Sequence, residues 1–396
     1  MEKPITSTDL GQISISEAGI EEVVRCLRSG WLGRGPITDR FESEFSQCVG
    51  ADFSVATSSC TAALQASLLA SGVGRGDEVI TSSVTYPATI NAIMSTGARP
   101  VLVDVMNDSF LMNLEQVREK INEATRAVIP VHFGGRLVDL SELCQLAERC
   151  GIVVIQDSAH ALEARYQGAP LSQFGLASCY SFAPTKSVTT VEGGMVCTTD
   201  RQFAKRVRTV IRQGLNASTW ERSQGKELSQ ISYDVVSAGF KGDTNDVHSA
   251  LGLAQLSDLD KRYRLRKENW QKYFRYFSTT DRHFSQDEVT ANRHGYHLFN
   301  ICVSDREKLW KKCFEKTGIR LGVHFPAIST MSFYKRTMEI QSREFPVAER
   351  VGSSILSLPL HRSDWVSAVI SFFESWDEPI FKSPVLKGSQ PEWVQS

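Results

Sequence analysis

Between about residues 50 and 200 the hydrophobic pattern repeatedly switches between short apolar runs and longer helical periods. Phe53-Ser54-Val55-Ala56, Glu78-Val79-Ile80-Thr81, Pro100-Val101-Leu102-Val103-Asp104, Ala127-Val128-Ile129-Pro130-Val131 and Ile152-Val153-Val154-Ile155-Gln156-Asp157 are rich in β-branched residues and predict strands. Between them, Thr61–Ala70, Thr89–Ser95, Leu114–Ile121 and Leu140–Cys150 carry helical spacing. This alternation predicts an α/β domain with a mainly parallel central sheet flanked by helices. In such a sheet ligands collect at the carboxyl ends of the strands, so polar residues there are the first candidates for chemistry.

After about residue 205 the texture changes. Residues 213–245 form a polar, turn-rich stretch too long for an ordinary connection, which marks it as functional or mobile. Val247–Phe277 predicts one or two long helices, with Leu251, Leu256, Leu259 and Tyr263 near helical spacing. Beyond Asp281 a smaller α+β domain is expected, with His297-Leu298-Phe299-Asn300-Ile301-Cys302-Val303 as one of its strands. The expected division is a large α/β domain over 1–250 including an N-terminal arm, a small C-terminal α+β domain over 251–382, and a loose tail over 383–396.

Composition narrows the function. The 44 Lys+Arg nearly cancel the 45 Asp+Glu, leaving a net charge of −1 and no long-range field for nucleic acid. The densest basic stretch, Lys261–Lys267, reads as a solvated helix face. Nine cysteines, odd in number and scattered, show no Cys-x-x-Cys or Cys/His spacing, so neither a disulfide framework nor a metal site is expected. No secretory leader opens the chain, and no apolar run reaches the roughly 18 residues of a membrane span. A reducing, cytoplasmic setting without membrane insertion is the expectation.

Three local features can carry chemistry. Ser58-Ser59-Cys60-Thr61-Ala62-Ala63-Leu64 follows a strand directly, and its small residues at a helix start suit a phosphate group or simply an N-capped helix. Asp157 ends a strand and is followed by Ser158-Ala159-His160; it can hold a cationic group, or it is a cap or surface acid. Lys186 closes Ser178-Cys179-Tyr180-Ser181-Phe182-Ala183-Pro184-Thr185-Lys186, just before Glu192-Gly193-Gly194. A partly desolvated lysine there would condense with an aldehyde; the plain alternative is a surface lysine. Together the three match pyridoxal 5′-phosphate, which needs an anion site, a carboxylate for its ring nitrogen, a flat group against its ring and a lysine for its aldehyde. Tyr86, in Ser82-Ser83-Val84-Thr85-Tyr86-Pro87, supplies the flat group.

In these residues the sequence resembles the DegT/DnrJ/EryC1/StrS family of sugar aminotransferases, which have the fold-type-I pyridoxal phosphate architecture. The similarity runs from about Trp31 to Arg362. It includes Trp31-Leu32-Gly33-Arg34-Gly35-Pro36, Gly76-Asp77-Glu78-Val79-Ile80, Val131-His132-Phe133-Gly134-Gly135, Asp157-Ser158-Ala159-His160 and Ser181–Lys186 with its following glycine pair. Gly252-Leu253-Ala254-Gln255-Leu256 and Leu356-Ser357-Leu358-Pro359-Leu360 also match. The resemblance implies that Lys186 binds the cofactor's aldehyde and that Asp157 partners its ring nitrogen. It further implies that Tyr86 stacks on the ring and that His160 lies near its phenolic oxygen. Cys60, Thr61 and Ser181 would hold the phosphate, although the family usually has glycine where this chain has Cys60. Lys241, in Gly239-Phe240-Lys241-Gly242-Asp243-Thr244-Asn245, would reach the phosphate of a neighbouring subunit in a homodimer with shared active sites, or only decorate its loop.

The same resemblance implies transfer of an amino group from L-glutamate to a keto group of a nucleotide-linked sugar. The segment with Gly214-Leu215 and Trp220-Glu221-Arg222 leans toward the subgroup that makes UDP-4-amino-4-deoxy-L-arabinose. Phe133, Trp220, His324 and Phe325 are candidates for the sugar-nucleotide pocket, His324 being equally open to a structural role. Three alternatives stand beside this: a cyclitol ketone as acceptor, a dehydratase of the same family, and a regulator that binds the cofactor without turnover. The best-known dehydratases have histidine in place of the lysine, so Lys186 argues for transamination.

Overall fold

A computed structural model of the chain describes residues 14–227, 231–278, 292–341, 343–376 and 380–381. Seven strands form the central sheet: β1 (Phe53–Thr57), β2 (Glu78–Ser82), β3 (Arg99–Val103), β4 (Thr125–Ile129), β5 (Val153–Asp157), β6 (Ala177–Ser181) and β7 (Gly194–Thr198). Their spatial order is β1-β7-β6-β5-β4-β2-β3. The run from β3 through β2, β4 and β5 to β6 is parallel, whereas β7 lies antiparallel to both β6 and β1. No crossover helix separates β6 from β7, so the chain can only fold back and return antiparallel.

Helices cover both faces, as the alternating pattern requires. Cys60–Ala70 is the most buried of them, with Ala62, Ala63, Leu64, Ala66 and Leu68 all enclosed. A helix apolar all round belongs inside a layered domain, and it packs against Ile155, Cys179 and Val196 of the sheet. Ser59 caps it by accepting the Ala62 N–H at 3.1 Å.

A second, antiparallel sheet in the order β10-β8-β9 joins β8 (Phe299–Val303), β9 (Ile355–Leu358) and β10 (Ile380–Phe381). Its core gathers Trp270, Phe277, Phe299, Val366 and Phe373. The expected division at 250/251 falls inside one helix, Asp246–Ser257. Leu253 and Leu259 pack with Phe41, Phe45 and Phe182 of the large unit, while Trp270 and Tyr273 pack in the small one. The chain therefore passes from one core to the other along the helix Leu259–Ser278. The tail over 383–396 lies outside the described residues.

Asp246 ties the ends of the large unit together. Fully buried, it accepts the backbone N–H groups of Gly35, Ile37 and Thr38 at 2.8–3.1 Å and the Thr38 hydroxyl at 2.7 Å. These are the free donors at the start of the helix Pro36–Val49, which has no side-chain cap of its own. Asp246→Ala strands several of them in the interior, so we expect a loss on the order of 3 kcal/mol in stability, read from denaturant melts. An unchanged melting midpoint would show that solvent replaces the carboxylate.

The stretch 213–245 contains the short helix Thr219–Ser223. Isolated bridges join Leu215 to Val235, Arg212 to Lys241, and Thr57, at the end of β1, to Asp243.

Candidate active site

The carboxyl ends of β1, β5 and β6 meet around a cavity of about 310 Å³ lined by Thr61, Tyr86, Asp157, Ser181, Lys186 and Phe325, among others. One end is the start of the helix Cys60–Ala70, where the N–H groups of Cys60 and Thr61 have no intrahelical acceptor and point outward as donors. Gly194 presses against this turn. A Cβ there would meet the Ser59 carbonyl carbon at 2.5 Å and the Cys60 nitrogen at 2.6 Å, both rigid backbone atoms. Gly194→Ala should therefore displace the turn and cost about 1–3 kcal/mol through overpacking. Thermal melts with and without pyridoxal phosphate check this, the variant losing the ligand-induced rise as well as stability.

At the opposite wall Asp157 ends β5, 6% exposed. Its Oδ2 accepts the Thr89 hydroxyl at 2.8 Å, and its Oδ1 accepts the Ala159 N–H at 3.1 Å. Thr85 in turn bonds Thr89 at 2.8 Å. Burial raises the carboxyl above its ordinary pKa, opposed by Thr89, by the Ala159 N–H and by the charge of Lys186. A cation placed against this carboxylate would offset the burial.

Lys186 follows β6 in a turn fixed by hydrogen bonds from Lys186 N to the Ala183 carbonyl, Phe182 N to Gly193 and Thr190 N to Phe182. Its ammonium has no hydrogen-bond or ion-pair partner among the described residues. Desolvation lowers its pKa, with Asp157 and Cys60 pulling the other way, so a larger fraction is free amine than for a surface lysine. Burial pushes the Cys60 thiol well up, which keeps it protonated and a poor nucleophile.

His160 is held from behind. Gly134, at φ 64° in the turn Phe133–Gly135, donates its N–H to His160 Nδ1 at 3.3 Å. That leaves the ring proton on Nε2. His297 stacks on the same ring at 4.2 Å and Phe325 at 5.8 Å. Burial, followed by the charge of Lys186, drives the His160 pKa well down, so the ring is neutral. Tyr86, 60% exposed, caps the helix Pro87–Ser95 and sits 5.6 Å from Phe325.

The sequence candidates do not all converge. Cys60, Thr61, Tyr86, Asp157, His160, Ser181, Lys186, His324 and Phe325 line this one cavity. Phe133 is not among them: it is 1% exposed and packs edge-on against Phe110 and Phe325. Trp220 packs edge-on against Trp31 at 4.8 Å and is not among the cavity residues. Lys241 is also outside it, its ammonium paired with Asp243 at 2.6 Å and its side chain 70% exposed. Sequence reasoning missed Thr89 and His297. The pair Thr85 and Thr89, flanking the start of the helix Pro87–Ser95, was a usable signal for the first; nothing local marked the second.

An anion site, a buried carboxylate and an unpartnered amine thus face a single cavity. This donor set suits a ligand with a phosphate at one end, a protonatable ring and an electrophilic carbon. Among the described residues no group of three or more His, Cys, Asp or Glu could hold a metal ion, and no helix is long and apolar enough to cross a membrane. All nine cysteines are free thiols.

Comparison with known proteins gives the arrangement a context. The model of the DegT/DnrJ/EryC1/StrS aminotransferase family matches residues 14–368. The spore coat polysaccharide biosynthesis protein SpsC of Bacillus subtilis is 34% identical over 358 residues, covering 88% of this chain and 91% of that protein. The PMP form of the sugar aminotransferase Spr1654 of Streptococcus pneumoniae, described as putative, superposes with a TM-score of 0.84 at 28% identity, covering 91% of this chain and 97% of that one. Its PLP form superposes at 0.82. The sugar aminotransferase CalS13 of Micromonospora echinospora gives 0.84 at 26% identity, covering 93% and 100%.

Proposed function

The chain belongs to the DegT/DnrJ/EryC1/StrS aminotransferase family, whose cofactor is pyridoxal 5′-phosphate, and from that premise we propose that it moves an amino group from L-glutamate to the keto group of a nucleotide-linked sugar. A 4-keto sugar is the preferred acceptor. The observation that carries this reading is the unpartnered Lys186 amine facing the same cavity as the buried Asp157 carboxylate and the open helix start at Cys60.

When bound, the cofactor supplies an aldehyde for an amine and a protonated ring that accepts the electron pair left when a substrate Cα–H bond breaks. The chain's own residues do the rest. The Cys60 and Thr61 N–H groups and the Ser181 hydroxyl hold the phosphate. Asp157, aligned by Thr89 and Ala159, would keep a proton on the ring nitrogen, so that the ring can take up the electron pair. His160 donates Nε2–H to the phenolic oxygen, and Tyr86 covers the ring.

Lys186 would hold the aldehyde and, once freed as an amine, would move the proton of the substrate Cα–H, for which its lowered pKa suits it. The same residues would serve both the amino donor and the keto sugar. His324 and Phe325, at the cavity wall, contact the sugar.

A homodimer completes the site. Ile231, Tyr233, Val235 and Val236 are exposed apolar side chains on one short stretch, the kind of surface a second copy covers. Lys241 of the partner subunit would leave its Asp243 pairing to reach the phosphate. Free thiols throughout suit the cytoplasm, where nucleotide-linked sugars would be met.

The test is a coupled assay of cofactor-loaded protein with L-glutamate and a panel of 4-keto sugars linked to UDP, GDP or dTDP, a UDP-linked keto-pentose included. The expected products are 2-oxoglutarate and a nucleotide sugar bearing an amine in place of the ketone, identified by mass. Loss of a hydroxyl without gain of nitrogen would instead establish a dehydratase.

A further inference from the structure

A second cavity, of about 240 Å³, adjoins the first through Thr185, Lys186 and His324, at the junction of the large and small units. Lys186, Arg262 and Arg266 line it together with His297, His324 and His361, and among the described residues no Asp or Glu does. Arg266 is already neutralised by an ion pair to Glu163 and donates to the Tyr296 carbonyl at 3.2 Å. Arg262 is different. Its guanidinium donates only to carbonyls, those of Ser187 at 3.2 Å and Gln255, and it has no carboxylate partner among the described residues. Asp258 and Glu163 act on it through space, against the repulsion of Arg266 and its own burial.

The histidines reinforce the preference for an anion without adding charge. Burial brings His324 and His361 down to about 4, and His297 well below its ordinary value, so all three are neutral near pH 7. Neutral imidazole still donates one N–H. Both ring nitrogens of His361 are shut off from solvent with no hydrogen-bond partner among the described residues. The half-buried guanidinium of Arg262, without a carboxylate on the wall of this cavity, favours a ligand that carries negative charge.

Size limits what that ligand is. At about 240 Å³ the cavity is smaller than the roughly 300–1,000 Å³ of pockets for drug-sized ligands, so it leaves no room for a nucleotide and sugar. It suits the body of a small dicarboxylic amino acid. We propose that this cavity is the donor subsite: the amine of a five-carbon dicarboxylic amino acid lies beside Lys186, and its far carboxylate extends to Arg262. This rests on the aminotransferase reading above, and it makes Arg262 the residue that selects an acidic donor.

Glutarate separates binding from turnover, because it has both carboxylates and no amine to transfer. Calorimetric titration of the cofactor-loaded protein with glutarate should show binding that weakens by roughly tenfold to a hundredfold in Arg262→Gln, the usual effect of one charge-assisted bond. Glutamine keeps donors for the Ser187 and Gln255 carbonyls, and Arg262→Lys should recover part of the affinity. Butyrate, lacking the far carboxylate, should bind the parent and Arg262→Gln alike. In parallel, KM for L-glutamate should rise in Arg262→Gln while KM for the keto sugar stays put. Equal glutarate binding by parent and variant, or binding by neither, overturns the subsite. If glutarate distinguishes them while no amino acid is turned over, the subsite stands and the aminotransferase reading fails.

Discussion

Lys186→Ala should abolish amino transfer. Removing a positioned acid–base group alone costs roughly 10²–10⁴-fold in rate, and this substitution also removes the amine that binds the aldehyde. The site around it should survive. Lys186 makes no hydrogen bond or ion pair to a described residue, and its turn is fixed by backbone bonds at Ala183, Phe182 and Gly193. Taking a desolvated cation out of the cavity relieves burial cost, so the melting temperature should hold or rise. The check is kcat with L-glutamate and an accepted keto sugar, beside a thermal melt of the same sample. Activity within tenfold of the parent would remove the lysine from the mechanism.

Asp157→Asn carries the second large effect. The amide keeps the shape and can still accept from Thr89, but it cannot hold a proton on the ring nitrogen. Loss of a preorganised charge of this kind costs roughly 10²–10³-fold in kcat. The pH behaviour gives the sign independently. In the cofactor-free protein Asp157 is the leading influence that holds the Lys186 pKa up against desolvation, so the asparagine variant should titrate that amine at lower pH than the parent. An amine-selective label whose reaction at Lys186 is followed across pH measures the shift. A rise in the Lys186 pKa, or full activity, would show that Asp157 is only structural.

The sheet was legible because its strands are buried on both faces and so appear as short continuous apolar runs. Val79, Ile80, Val128, Ile129, Val154 and Ile155 mark them directly. Its order and the reversal at β7 were not, because pairing depends on contacts far apart in sequence. The point where the chain passes between the two cores was hidden for a similar reason: helical spacing runs through 246–278, and only packing shows which part serves which core. In the site, Asp157, Lys186 and the turn at Cys60 are ends of strands or starts of helices, where residue type and position already imply chemistry. Phe133 and Trp220 pack against Phe110 and Trp31 and are not among the residues lining this cavity, and an aromatic side chain gives no local sign of which neighbour it will pack against. Thr89 and Arg262 were hidden because their importance lies in what they touch or fail to touch, Asp157 in one case and no carboxylate in the other.

The most direct test of the central claim is optical. The purified protein is loaded with pyridoxal phosphate, its visible absorbance recorded, and L-glutamate added, with Lys186→Ala treated identically. A visible band of lysine-bound cofactor in the parent, lost on adding glutamate and absent from the variant, is the predicted result. A parent that forms no such band, or a band that persists whatever amino acid is added, would contradict the account.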